Sequence, residues 1–236
     1  MEKTIEGIGK VLFKESTKAK QVNITVKPFM EVVVSVPSHI QFSQAEDAVV
    51  KNIQWIKKEK QRMKKVEAQY TIFKLGQVFQ VQDLTFESLK RGKEFKVLSP
   101  SSSHNILQIP FKEKIKAPPV QSWIREQIDR IVKKRATVFL PTRATELAQQ
   151  HHIPIQKVQV RKSLTRWGSC GNNNTINLSY YLLFLPIHLI DYAILHELAH
   201  IKIKDHSKAY WMHLESMVTG ARLLDAEIKG YGIGVF

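Results

Sequence analysis

His196-Glu197-Leu198-Ala199-His200 is the stretch on which the reading of this chain turns, and an apolar run from Tyr192 to Leu195 leads into it. On a helix, residues four apart lie on one face, so the two imidazoles can grip a single cation. Glu197, one residue past the first imidazole, is placed to reach a water on that cation rather than the cation itself. Zn²⁺ lowers the pKa of such a water to about 7, and a neighbouring carboxylate can take its proton. The chemistry of the chain is therefore expected to centre here.

Two ligands do not make a catalytic zinc site, which takes three protein ligands and leaves a position open. The next histidine is His206. If the helix ran on, that residue would lie about 9 Å beyond His200 and point about 240° away. The helix must therefore stop between Ile201 and Asp205 and the chain must fold back. Asp205 and Ser207 are good cap residues for a second helix, expected from about Lys208 through Val218, with Trp211, Leu214 and Val218 turned inward. Glu215 and His213 on that helix are rival third ligands, since a downstream Glu also serves in zinc peptidases. The plain alternative is a helix face with two satisfied histidines and a solvated glutamate.

Upstream, Gln156 to Lys162 alternates apolar and polar residues as a strand does. Gly171-Asn172-Asn173-Asn174 reads as a turn, and Thr175 to Leu178 as the returning partner of a hairpin. One strand of that hairpin is suited to pairing with an extended peptide. Arg161, Lys162, Arg166 and Trp167 belong to this region. Arginine is a fork donor for carboxylate or phosphate oxygens, so Arg166 can hold a substrate anion or a developing oxyanion. The alternative is an arginine stacked on Trp167. Arg161, Arg166 and Trp167 are thus the candidate substrate-binding residues. Cys170 reads as a small buried residue, because a fourth protein ligand would close the open position.

The segment Arg166-Trp167-Gly168-Ser169-Cys170, then Leu178 to Leu183, the His196–His200 motif, Asp205-His206-Ser207 and Trp211 together resemble the YgjP-like zinc metallopeptidase family, relatives of the SprT-like and WLM metallopeptidases. Asp205 stands where that family usually has Asn, and Tyr210 where it usually has Phe. The resemblance implies His196, His200 and His206 as zinc ligands, Glu197 as the catalytic carboxylate, and a peptide or protein substrate.

The chain has 236 residues, a hydrophobic share of 43% and a single cysteine, so it can bury a core but form no internal disulfide. Met1-Glu2-Lys3-Thr4 carries no apolar signal region, and no stretch approaches the roughly 18 apolar residues of a membrane span. A cytoplasmic protein that spans no membrane is expected. The net charge of +15 comes from 36 basic and 21 acidic residues spread over both halves. A pI near 9.8 favours polyanions as partners: nucleic acid, nucleotides or an acidic protein. Two other functional classes follow from that charge. One is a metal-dependent phosphohydrolase acting on nucleotides; the other is a nucleic-acid-associated binding module, which the likeness to SprT-like and WLM relatives extends to a DNA-associated protease, though no nucleic-acid motif is recognisable.

The fold class expected is α+β. Residues 1–118 should form a β-rich region with one long helix, and residues 119–236 a zincin-like region with a short β-hairpin and the H-E-x-x-H helix. Strand patterns run from Gly9 to Val36, with a turn near Pro28 and a strand starting at Glu31. A helix capped by Ser43 should follow, burying Ala48, Val49, Ile53, Ile56 and Trp55, and running into the cationic stretch Lys57–Lys65 as a solvated face. Short strands return between Tyr70 and Pro110, at Phe79–Val81, Phe95–Val97 and Ile106–Ile109. No internal repeat is visible. A long helix is expected from about Val120 to Gln150, kinked or broken near Leu140 by Pro141, with His151-His152 at its end. Pro186 should open the first turn of the H-E-x-x-H helix.

Overall fold

Val11 and Phe13 on one strand and Val32, Val34 and Val36 on another turn to the same side and are buried. These belong to β1 (Glu2–Ile5), β2 (Gly9–Ser16), β3 (Asn23–Thr25) and β4 (Val32–Pro37), in the order β1-β2-β4-β3. The computed structural model describes residues 1–26, 32–67 and 71–234. The turn expected at Pro28, the strand start at Glu31 and the boundary at Tyr70 lie outside the described residues. Two helices, α1 (Phe42–Lys51) and α2 (Ile53–Glu67), add Ala45, Val49 and Ile56 to this first core.

One continuous helix capped by Ser43 was expected here, and the structure corrects that. Gln41 and Gln44 cap each other at the start of α1. Asn52 separates the two helices, its side-chain amide donating to the Ala48 carbonyl at 2.8 Å. That local bond competes with helix continuation, as short amide side chains do. The break rotates α2, and Trp55, placed on the buried stripe by its spacing, is 45% exposed.

A second sheet repeats the topology of the first. It contains β5 (Val78–Val81), β6 (Leu84–Lys90), β7 (Lys96–Leu98) and β8 (His104–Ile109), ordered β5-β6-β8-β7. In both sheets the middle pair is parallel and each outer pair antiparallel. The repetition is one of strand pairing, which is why the amino-acid sequence does not show it. The central strand β6 was not anticipated, although Leu84, Phe86 and Ser88 alternate as buried positions.

Helix α3 runs unbroken over Pro118–Gln150. Pro141 lies inside it, where a kink or break was expected, and the helix does not break there. Proline removes one backbone donor, but Ala136, Leu140, Ala144 and Leu147 bury the helix on both sides of that point. Tertiary packing outweighs the single lost bond. α3 packs against β6, β8 and a third sheet made of β9 (Lys157–Arg161), β10 (Gly168–Cys170) and β11 (Thr175–Ser179), ordered β10-β11-β9.

β9 and β11 are neighbours as expected, but they are parallel and not a hairpin. The true hairpin joins β10 to β11, with Asn173 and Asn174 at φ of 54° and 52° in the turn. Asparagine tolerates that left-handed region better than most residues. β10 is three residues long and shows no alternation, so the sequence offers no periodic signal for it. A 3-10 turn (Tyr180–Phe184) leads to α4 (Ile187–Lys202), α5 (Lys208–Met217) and α6 (Ala221–Lys229). Pro186 stands one position ahead of its expected place, as the cap of α4. One buried core runs from Phe73 through α3, the third sheet and α4 to Ile228.

Candidate metal centre

The H-E-x-x-H residues lie in the second half of α4, whose inner face carries Leu189, Ile190, Ile194 and Leu198 into the core. Arg143 of α3 grips Asp191 of α4 in a two-pronged pair, Nε–Oδ1 and Nη2–Oδ2 both at 2.7 Å. The paired carboxylate raises the guanidinium pKa further above its ordinary value. Such a fork fixes orientation as well as distance.

α4 ends at Lys202 and the chain turns back. Ile203 adopts extended backbone, and its carbonyl accepts the Nδ1–H of His200 at 3.0 Å. Asp205 accepts the Ser207 amide at 3.2 Å, and the Ser207 hydroxyl caps α5 by accepting from the Tyr210 amide at 3.4 Å. The reversal carries His206 back over the helix. Its Nε2 lies 3.1 Å from Nε2 of His200 and 3.2 Å from Nε2 of His196. Ligands at 2.0–2.1 Å around a tetrahedral zinc stand about 3.3 Å apart. The three imidazoles therefore fit one such ion, and among the described residues they form the one group of at least three with ligand atoms close enough to share a metal.

Their protonation suits that use. Burial, reinforced by the neighbouring imidazoles, pushes the His196 pKa down to about 4, and burial lowers that of His200. Metals take neutral imidazole, so little proton release opposes binding at neutral pH. Tyr210, wholly buried, braces the cluster. Its ring stacks on His200 at 4.5 Å and its hydroxyl donates to the His196 carbonyl at 3.2 Å. The Trp211 ring stands 6.3 Å from that of His206, with the Arg222 guanidinium 4.4 Å over the indole.

Glu197 is 6% exposed. Burial pushes its pKa up to about 7, against the opposing pull of the Arg166 charge and the Cys170 backbone amide. A carboxyl poised near neutrality suits proton transfer. Its placement depends on Gly168 of β10: a Cβ there would lie 2.6 Å from both Cγ and Oε1 of Glu197.

The other residues singled out in the sequence divide clearly. Arg166 and Trp167 line a cleft of about 220 Å³ that reaches His196 and Glu197 and is also lined by Ala193 and Ile228. The arginine-on-tryptophan stack considered for Arg166 forms between Arg222 and Trp211 instead. Arg161 is exposed and spends its guanidinium on the Gln159 side chain, with Nε at 3.1 Å. Glu215 is occupied elsewhere, its carboxylate accepting the amides of Gly220 at 2.6 Å and Ala221 at 2.9 Å to cap α6. His213 stands near Lys202 and His151, outside the cluster. Cys170 is a half-buried free thiol whose sulfur accepts from Lys204 at 3.5 Å. No role at the site was anticipated for Gly168, Tyr192 or Tyr210. Tyr192 had a signal, since it sits four residues before His196 on the same helical face.

Comparison with protein families matches the model described as YgjP-like, metallopeptidase domain, over residues 20–231. A match over that span sets the class: a metal-dependent peptidase, acting on peptides or proteins. The chain belongs to the YgjP-like metallopeptidase family. No curated protein matches it. Two solved structures overlap a part of it, the metallopeptidase zymogens of Pyrococcus abyssi abylysin and Methanocaldococcus jannaschii jannalysin. The first is 22% identical, with a TM-score of 0.35, over 38% of this chain and 90% of its own. The second is 21% identical, with a TM-score of 0.34, over 38% of this chain and 92% of its own. No helix among the described residues is long and apolar enough to cross a membrane.

Proposed function

We propose that this peptidase is a zinc enzyme of the H-E-x-x-H, zincin-like kind, with His196, His200 and His206 holding Zn²⁺ and Glu197 as the general base. The observation that carries the reading is the convergence of three Nε2 atoms beside a buried carboxylate on the same helix. Bound there, Zn²⁺ would supply Lewis-acid polarisation of the scissile carbonyl and a water acidified toward neutrality.

The chain's own residues do the rest. Glu197 takes the proton of the attacking water on its carboxylate and delivers it to the leaving amine nitrogen. Arg166, at the cleft beside Glu197, holds a substrate carboxylate or the oxyanion as charge develops. Trp167 forms a wall of the same cleft. β10 is the outer strand of its sheet and packs against α4. An extended peptide pairs with that edge and lays its scissile bond over the three imidazoles. Arg161, tied to Gln159, has no part in the bond-breaking step. Family membership favours peptide hydrolysis over phosphate esters and over a nucleic-acid module, and a reducing cytoplasm suits the free thiol of Cys170.

Elemental analysis and a peptide-substrate screen test the assignment together. One zinc per chain is expected, retained in Glu197→Gln with hydrolysis lost. Full hydrolysis by Glu197→Gln would remove Glu197 from the mechanism.

A further inference from the structure

We propose that Asp225 of α6, acting through the hydroxyl of Tyr192, is a positioning residue for His196 and sets how tightly the three-histidine cluster holds its metal. The inference rests on the reading of those histidines as metal ligands.

His196 presents Nε2 to the other two imidazoles. A neutral ring with that lone pair free must carry its proton on Nδ1. On His200 the equivalent proton goes directly to a backbone carbonyl, that of Ile203. On His196 it does not. The partner of His196 Nδ1 is the hydroxyl oxygen of Tyr192, at 3.5 Å. That hydroxyl donates its own proton to Oδ1 of Asp225 at 3.2 Å, and Oδ2 of Asp225 accepts from Lys229 at 2.5 Å. The chain of donors thus runs from His196 to Tyr192 to Asp225 without a break.

Tyr192, 2% exposed, is thus the sheltered link, while Asp225 keeps 20% of its side chain exposed at the cleft. An orphaned Nδ1–H in that setting would free the ring to rotate away from the metal position. Carboxylates linked to ligating histidines fix ring orientation and raise ligand basicity. Here a tyrosine is interposed, and the carboxylate comes from a helix that contributes nothing else to the cluster. That helix is in turn capped by Glu215 of α5. The orientation of the first imidazole therefore depends on the folding of α6.

Competition titration with a chelator measures the zinc affinity of the full chain and its variants, and Co²⁺ substitution reports the ligand field by its visible spectrum. Tyr192→Phe and Asp225→Ala are each expected to weaken zinc binding by about 10- to 100-fold and to alter the cobalt spectrum. The double variant should be no weaker than the worse single one, because both remove one link. Asp225→Asn keeps an acceptor oxygen for the tyrosine hydroxyl and should restore part of the affinity. If Asp225→Ala does not fold, Tyr192→Phe reads the same link. Unchanged zinc affinity and cobalt spectrum in Tyr192→Phe overturn the proposal while leaving the ligand assignment intact. Undiminished zinc affinity in His196→Ala would overturn both.

Discussion

Glu197 rests its carboxylate against the bare Cα of Gly168, so closely that a methyl group there would sit 2.6 Å from Cγ and Oε1. No side chain is small enough to share that space. The glycine is needed for the approach of the Glu197 carboxylate, not for a turn. Gly168→Ala should therefore push Glu197 off its position while leaving the three imidazoles in place. Peptide hydrolysis is expected to fall by about 10²-fold or more, with zinc content unchanged. Parallel elemental analysis and kinetics check it; a fully active alanine variant would show that the carboxylate works from elsewhere.

His206 and Glu215 were both eligible as third ligand, and the geometry separates their roles. His206→Ala should lose zinc at concentrations where the natural sequence is saturated. Glu215→Gln should keep it but lose a helix cap, a loss of about 1 kcal/mol. For a chain of this size that lowers Tm by roughly 2–4 °C. Calorimetry beside metal titration distinguishes the two; zinc loss in Glu215→Gln with zinc retained in His206→Ala would reverse the assignment.

The pH dependence has a definite sign. In the metal-free protein Glu197 titrates at about 7, against 4.5 for an ordinary glutamate. Its contribution to stability is full below 4.5 and is lost as pH rises through 7. His196 acts in the opposite sense: pushed from 6.5 to about 4, it contributes above 6.5 and loses that as pH falls through 4. Glu197→Gln should therefore gain in Tm relative to the natural sequence as pH is raised from 4.5 to 7, measured without metal. A nearby cation favours the carboxylate, so in the zinc-loaded enzyme the acid limb of kcat/KM should fall at or below about 7.

The Arg143–Asp191 fork holds α3 to the helix that carries the motif. Arg143→Ala and Asp191→Ala should each destabilise the protein. Their double variant should cost less than the sum of the two, by about 1 kcal/mol of coupling. Strict additivity in denaturant titrations would show that the pair contributes no net attraction.

Much of the candidate site's geometry was legible in the sequence. The spacing of His196, Glu197 and His200 fixes a common helical face, and the misfit of His206 on a continued helix forces the reversal that Ile203 and Ser207 supply. Asp225 gave no such signal, because it lies on a separate helix and reaches His196 only through tertiary packing. β10 was hidden by its length and by a Gly-Ser-Cys composition without alternation. The parallel pairing of β9 with β11 was equally hidden, since a turn between two alternating segments suggests a hairpin whenever an intervening strand is missed. Pro141 misled for the opposite reason: a local breaker was overruled by buried neighbours on either side.

The ring of Trp211 lies within 6.3 Å of His206, the residue delivered last to the cluster. An indole so near a site of changing charge makes a native optical reporter. Uptake of a metal by the three nitrogens should change its emission, a change that Trp211→Phe removes and that is thereby told apart from the chain's other three tryptophans.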